Sequence, residues 1–560
     1  MRKMESEGNG RKVIVIGGGC GGLFTAALLA KKSFQVTVIE KNAAVGGGLS
    51  TFKRGGIAFQ PGMHIIGGLP DTSLQRNLQD ALSYEEMHSD TSVQFNAGKI
   101  SQNNSVTGQG NTLERVFQEL GINAEVRNCP RRMVVMSDSS VRDIPVTEDA
   151  VVEMLGKEFP TEKKGIEAYY RRIREIYNAV PLLNSVPMLN SALNTPATTT
   201  SGGNTDEKEL HLDELLSADS FIEQYISDPK LKAILGSLNL LTGAEEGITP
   251  AYAHAIINEL YTRQFAYFPN GTEEIVRQLI EIIENAGGEV LNKTTATSLH
   301  FGTTDNGERC VTAVETSDGT LHTADIYISS ISPALLSEIS GEKGAFSKIQ
   351  KKRIASLRDG FSMFTVYAKV KADSHVPEGA TFCFPDYDSV WRQGSLYNGD
   401  WLHGALFVRF GEQLTAMAAM PFSEVERWEN GRDDEYRHWK EIQTARIMEL
   451  LYKSLPCFDS SNINSNNSLD SSNSNNDRTE QCIQVLSSAS PLSIRDWLGN
   501  RHGSAYGFSI DCHNPLLSRF STETKASNLF LTGQNLFLHG LCGTVMSAVT
   551  TVHAVESSEQ

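Results

Sequence analysis

Hydrophobic and polar positions alternate along this chain in blocks that read as strand, helix, strand. Val13–Ile16 is a continuous β-branched run and Gln35–Ile39 a second, and each reads as a short strand buried on both faces. Residues 115–121 and 145–181 carry charged faces and predict helices. Ile275–Asn285 is amphipathic, stops at Gly287-Gly288, and leads into a strand at Glu289–Leu291. Further strands are expected at Asp325–Ser329 and Leu529–Leu531. Strand–helix–strand order near both ends and in the middle predicts an α/β sheet assembled from discontinuous pieces. Residues 88–112, 195–215 and 459–477 lack periodicity and are polar, so they read as inserts that bury too little apolar surface to order themselves.

The uncharged stretch at 13–30 follows Arg2, Lys3, Arg11 and Lys12 and imitates a signal peptide or a short membrane span. Five of its residues are glycine, Glu5 and Glu7 precede it, and a strand follows directly, so a strand–turn–helix is the better reading. No other run reaches the ~18 apolar residues of a spanning helix. Peripheral membrane contact stays open.

Charge narrows the classes. With 50 Lys and Arg against 67 Asp and Glu, the net charge of −17 disfavours nucleic-acid binding. Residues 195–215 and 459–477 together carry −7 of it, so much of the acidity belongs to the inserts rather than to any site. The eight cysteines are scattered without a CxxC, which points to reduced thiols in a cytoplasmic setting and away from a disulfide scaffold, a zinc ribbon or a dithiol redox centre.

The chemistry is densest at Gly17-Gly18-Gly19-Cys20-Gly21-Gly22. Gly17, Gly19 and Gly22 spell GxGxxG between a strand and a helix starting near Gly21, the arrangement that brings pyrophosphate onto a helix N-terminus. Glu40 ends the second strand 18 residues later, where a carboxylate can accept the ribose hydroxyls. Lys41, then Gly46-Gly47-Gly48-Leu49-Ser50-Thr51, extend the motif with bare backbone. This extension resembles the ExxxxxGGxxxT of flavin-binding oxidoreductases of the glutathione-reductase fold, in the branch of amine oxidases and phytoene desaturases. No second GxGxxG follows a strand, unlike the disulfide reductases.

The far end resembles the other half of such a site. Asn528–Leu531 leads into Thr532-Gly533-Gln534-Asn535, and Gly540–Ala548 enters a helix. The resemblance places Gly533 and Gln534 by the ribityl–phosphate region, and Gly543, Thr544 and Val545 with their amides toward the flavin. Tyr267–Gly271, Gly287–Val290, Ala324-Asp325 and Ala296 resemble the middle segment, with Ala296 at the adenine.

Phe59-Gln60-Pro61-Gly62-Met63-His64 resembles the Phe-Asp-x-Gly-x-His of retinol saturases. Ser490–Asp496 and Gly503-Ser504-Ala505-Tyr506-Gly507 resemble paired blocks of retinol saturases and carotenoid isomerases. Gln60 and Asn535 stand where relatives carry acids.

The resemblance implies FAD and hydride exchange at flavin N5 with a C=C or CH–CH bond of a small apolar, polyene or isoprenoid-like substrate. NAD(P)H, a quinone or oxygen could each turn the flavin over. A flavin amine oxidase and a prenyl-binding escort protein are the alternatives on the same fold. The expected architecture is an FAD-binding Rossmann-like domain from 1–70, 265–340 and 490–560, with an interleaved α+β substrate domain from 71–264 and 341–489. The sequence leaves the oligomeric state open. Residues 231–243 and 361–366 are apolar enough to line a tunnel or to fill a core. His64 and Tyr506 either hand over a proton or simply pack and orient. Asp511-Cys512-His513 and His539 with Cys542 do not spell a closed metal-ligand set.

Overall fold

The computed structural model describes residues 10–70, 72, 111–180, 216–342, 344–372, 374, 376–454, 482–514 and 517–558. Lys12–Ile16 is the central strand of a five-stranded parallel sheet. The order runs Leu529–Leu531, Ile326–Ser329, Lys12–Ile16, Gln35–Ile39, Glu289–Leu291. Its strands come from the start, middle and end of the chain. The apolar run at 13–16 has a simple cause: Val13 and Val15 enter one core cluster, while Ile14 and Ile16 enter another on the opposite face. The helix Cys20–Lys31 follows the first strand and packs with Glu273–Asn285 and with the last helix, Gly540–Ser557.

A second sheet has seven strands and is antiparallel except where Gly379–Phe384 runs parallel to Arg131–Val135. Ser362–Val370, Gln413–Met420 and Ala405–Phe410 form its middle, and Ile483–Ala489 and Ser140–Ile144 its edges. A small three-stranded sheet spans residues 296–322.

Two expectations need correcting. The helix predicted over 145–181 is two helices, Glu148–Glu158 and Lys163–Ala179. Pro160 starts the short 3-10 turn between them, and Phe159 before it leaves helical geometry, as a residue preceding proline tends to. The helix predicted at 115–121 begins at Thr112, because the Asn111 side chain accepts from the Glu114 N–H and caps it. Residues 111–112 therefore belong to a helix start rather than an insert. The rest of 88–112, and all of 195–215 and 459–477, lies outside the described residues. The stretch at 13–30 is strand and helix, and no helix among the described residues is long and apolar enough to cross a membrane.

The sequence reading passed over one helix, Ala251–Arg263. Eleven of its thirteen residues are buried, including His254, Asn258 and Glu259, so no amphipathic stripe marks it.

Candidate functional site

The first strand ends in a turn built from close backbone approaches. Gly17 adopts φ +100°, and its N–H donates to Ile39 O. A Cβ on Gly22 would sit 1.9 Å from Gly17 O, and one on Gly21 would sit 2.8 Å from Gly533 Cα. The first contact seats the helix on the turn. The second brings the N-terminal motif against the end of the last strand, more than 500 residues away in sequence. Thr25 and Thr532 hydroxyls meet across that junction at 3.0 Å.

Glu40 is buried and held on two sides. Its Oε2 accepts from Gly18 N–H and its Oε1 from Asn42 N–H, each at 2.8 Å. Each oxygen keeps a further lone pair for a ribose hydroxyl. Lys41 reaches away to Asp496 O at 2.8 Å, and Asn42 Nδ2 to Trp497 O at 3.0 Å. Burial pushes the Lys41 ammonium below its ordinary pKa, with Glu40 and Asp496 opposing.

These pieces wall one cleft. Gly17, Gly19, Cys20, Gly21, Glu40, Lys41, Gly47, Gly48, Leu49, Ala296, Tyr506, Gly533, Gln534 and Thr544, each proposed from sequence, all line it. Gly22, Gly543 and Val545 lie behind it and pack: a Cβ on Gly543 would meet Leu538 O at 2.3 Å, and Val545 is fully buried. Thr51 Oγ1 is buried without a hydrogen-bond partner among the described residues. Sequence reasoning missed Asn42, Thr294, Ser330, Trp497 and Asn500 on the cleft wall. The Ser490–Asp496 block marked the neighbourhood of Trp497, but nothing local marked its contact with Asn42.

The cleft fits FAD on its own geometry. Side chains are excluded where Gly21 meets Gly533, a buried carboxylate stands at the ribose position, and the helix Gly540–Ser557 begins at the wall with Gly540 exposed. A wider groove of about 1210 Å³ lies between the helix Asp434–Ser454 and the strand Ile483–Ala489 and holds none of these motifs.

His64 stands apart from the main cleft. It lines a small cavity of about 80 Å³ with Gln60, Phe268, Thr272, Phe410 and Gln413. Burial pushes its pKa down to about 4, and Nε2 has no partner among the described residues, so the imidazole is neutral near pH 7. Tyr506 donates to Leu240 O at 3.2 Å and lies 4.4 Å, ring to ring, from His539. Burial raises the phenol pKa and lowers that of His539 to about 4. Asp511, Cys512 and His513, which do not spell a closed ligand set in the sequence, have ligand atoms within 4.8 Å of one another. His513 Nδ1 shares a hydrogen bond with Asp511 Oδ1 at 3.0 Å.

Known proteins agree with this geometry. A family described as an NAD(P)-binding Rossmann-like domain matches residues 15–82. Human all-trans-retinol 13,14-reductase is 22% identical over 97% of this chain and 85% of its own length. The chloroplastic prolycopene isomerase of Arabidopsis thaliana is 24% identical over 79% of this chain and 68% of its own length. The chain is an FAD-dependent oxidoreductase, similar over most of its length to retinol saturases and carotenoid isomerases. An oxidoreductase from Methanosarcina mazei shares the fold, with a TM-score of 0.58 at 14% identity over 97% of this chain and 100% of its own. The architecture is accordingly a Rossmann-like FAD-binding α/β fold with an interleaved α+β region.

Proposed function

We propose that this protein reduces a C=C bond of a long apolar polyene, with NAD(P)H as the electron donor. The observation that carries the reading is the convergence of the glycine turn, the Gly533 strand end and Tyr506 on one cleft, in a chain similar to retinol 13,14-reductase over 97% of its length. We assign FAD binding to Gly17, Gly19, Gly21, Glu40, Gly47, Gly48, Ala296, Gly533, Gln534 and Thr544. When bound there, FAD supplies hydride exchange at flavin N5.

The chain's own residues do the rest. Glu40 fixes the ribose end. Gly21 and Gly533 leave backbone bare where the pyrophosphate must approach. Tyr506 keeps its proton, because its hydroxyl donates to Leu240 O in a buried place, and it therefore orients the substrate. The apolar wall excludes water from the reacting centre. The five-stranded sheet with its flanking helices would form the FAD domain, and the seven-stranded sheet with the buried helix Ala251–Arg263 would cover the substrate. We extend the reading to a cytoplasmic protein in transient contact with a membrane, where such substrates partition.

A second reading is isomerisation without net redox change. It is favoured by one observation: the Tyr506 hydroxyl is committed to Leu240 O, so its proton is not free for transfer to a substrate. One experiment separates these readings. The FAD-loaded protein is reduced anaerobically with NADPH or NADH, mixed with a polyene, and the products are weighed by mass spectrometry. Reduction adds two hydrogens and reoxidises the flavin, desaturation removes two, and isomerisation leaves the mass unchanged. Amine-dependent hydrogen peroxide without polyene turnover would instead mean an amine oxidase. Tight lipid binding by protein lacking flavin would mean an escort protein.

A further inference from the structure

Arg131 begins the strand Arg131–Val135 of the seven-stranded sheet. Its guanidinium lies between two aromatic rings, 5.4 Å from the Phe265 centroid and 5.9 Å from that of Phe382. Nη2 donates to Ser237 Oγ at 2.9 Å. Nε is buried with no partner among the described residues. The side chain makes no ion pair among the described residues, and the groups it feels most are the phenols of Tyr169 and Tyr170 rather than any carboxylate. A buried cation with one neutral hydrogen bond is an expensive arrangement, since most of its hydration goes unreplaced.

The surroundings suggest what replaces it. Arg131 sits deep enough that burial pulls its pKa down to about 10, yet it keeps accessible surface. Tyr261, Tyr506 and His539 share that combination of depth and residual accessibility. Phe265 is 5.7 Å from Tyr261, and Tyr506, which lines the cleft, lies 4.4 Å from His539 in a tilted contact. One short segment ties both ends of this series of side chains: Ser237 accepts from Arg131, and Leu240, three residues on, accepts from Tyr506. It lies within the 231–243 stretch that the sequence offered as tunnel or core.

We propose that Arg131 anchors the carboxylate end of an apolar chain whose reacting double bond lies at the Tyr506–His539 end of the cleft. A carboxylate matches the guanidinium fork and neutralises it. An alcohol satisfies one N–H and leaves the charge, and a hydrocarbon satisfies nothing. The inference rests on the proposed action on polyenes and adds the class of substrate: polyene acids before polyene alcohols.

The test uses the full-length, FAD-loaded protein and titrates all-trans-retinoic acid and all-trans-retinol against protein fluorescence. Wild type is expected to bind the acid about tenfold or more tightly than the alcohol, the scale of a hydrogen bond to a charged group. Arg131→Met is expected to abolish that preference while changing the retinol Kd by less than about twofold, and Arg131→Lys to keep part of it. Ser237→Ala, a milder change, is expected to narrow the preference and covers the case of an Arg131→Met protein that does not fold. Equal binding of acid and alcohol by wild type, or a full preference retained in Arg131→Met, overturns the assignment of Arg131 alone. Failure of wild type to bind either ligand overturns the proposed action on polyenes as well.

Discussion

Glu40 and Arg131 are charges taken into the protein on opposite terms. Glu40, at the end of a strand in the five-stranded sheet, receives a backbone N–H on each oxygen, from Gly18 and from Asn42. Arg131, at the start of a strand in the seven-stranded sheet, donates to one serine hydroxyl and leaves Nε unpaired among the described residues. The first charge is part of a frame that is complete before any ligand arrives. The second is complete only when something binds. Cofactor sites favour the former, since the cofactor stays; a group that meets a passing substrate can tolerate the latter, provided the substrate restores the missing contacts.

The largest effect should come from breaking the frame itself. Gly22→Val places a side chain where a Cβ already lies 1.9 Å from Gly17 O, so the turn and helix cannot both keep their places. Overpacking of this kind costs about 1–3 kcal/mol or more. The expected protein carries no flavin absorbance and unfolds at lower urea. Glu40→Ala is gentler, because it leaves the backbone path intact but orphans the Gly18 and Asn42 N–H groups. Each should cost about 1–3 kcal/mol, and FAD retention through gel filtration should fall with the unfolding midpoint. If Glu40→Ala keeps its flavin and its stability, the frame is not what the hydrogen bonds imply.

A third effect belongs to the buried imidazoles of both regions. His64 and His254 each have their pKa lowered by burial to about 4. His254 is packed between Tyr169 Oη at 2.8 Å from Nε2 and Asn258 Nδ2 at 3.1 Å from Nδ1. The Asn258 amide must donate, so Nδ1 must accept and cannot carry a proton. The unfolded histidine takes its proton near pH 6.5, before the folded one does. Stability is therefore fully present above about pH 6.5 and is lost as pH falls toward 4, by about 1–3 kcal/mol for each histidine. Urea titrations across that window should show the decline, and His254→Gln should flatten its share of the slope.

The two terms of the comparison also differ in how they are written in the chain. The Glu40 frame is legible because its parts are local: Gly18 is 22 residues away, the strand between them is a β-branched run, and the spacing is imposed by one helix. The last strand and helix were legible for a different reason, the Thr-Gly and Gly-rich signals that bare backbone requires. Arg131 was not legible. Its partner Ser237 lies 106 residues on, and its two rings come from Phe265 and Phe382, so no window of sequence contains the arrangement. Ala251–Arg263 was missed because burial on every side erases the helical period, and the helix start at Thr112 because its cap, Asn111, adjoins a polar stretch. Only the three-dimensional arrangement shows which buried polar groups are paired.

The smallest expected effect is the sharpest. In the ligand-free chain, Arg131→Met removes a buried cation that nothing neutralises and supplies an unbranched apolar side chain to the space between Phe265 and Phe382. Replacing buried charge by apolar groups of similar size is often neutral or stabilising. The unfolding free energy of this variant should thus stay within about 1 kcal/mol of wild type, or rise, where Glu40→Ala falls by several times that. Urea midpoints measured side by side without added polyene decide it. A loss as large as that of Glu40→Ala would mean that Arg131 holds the fold together through Ser237 and the two rings, and the contrast between a completed charge and a waiting one would collapse.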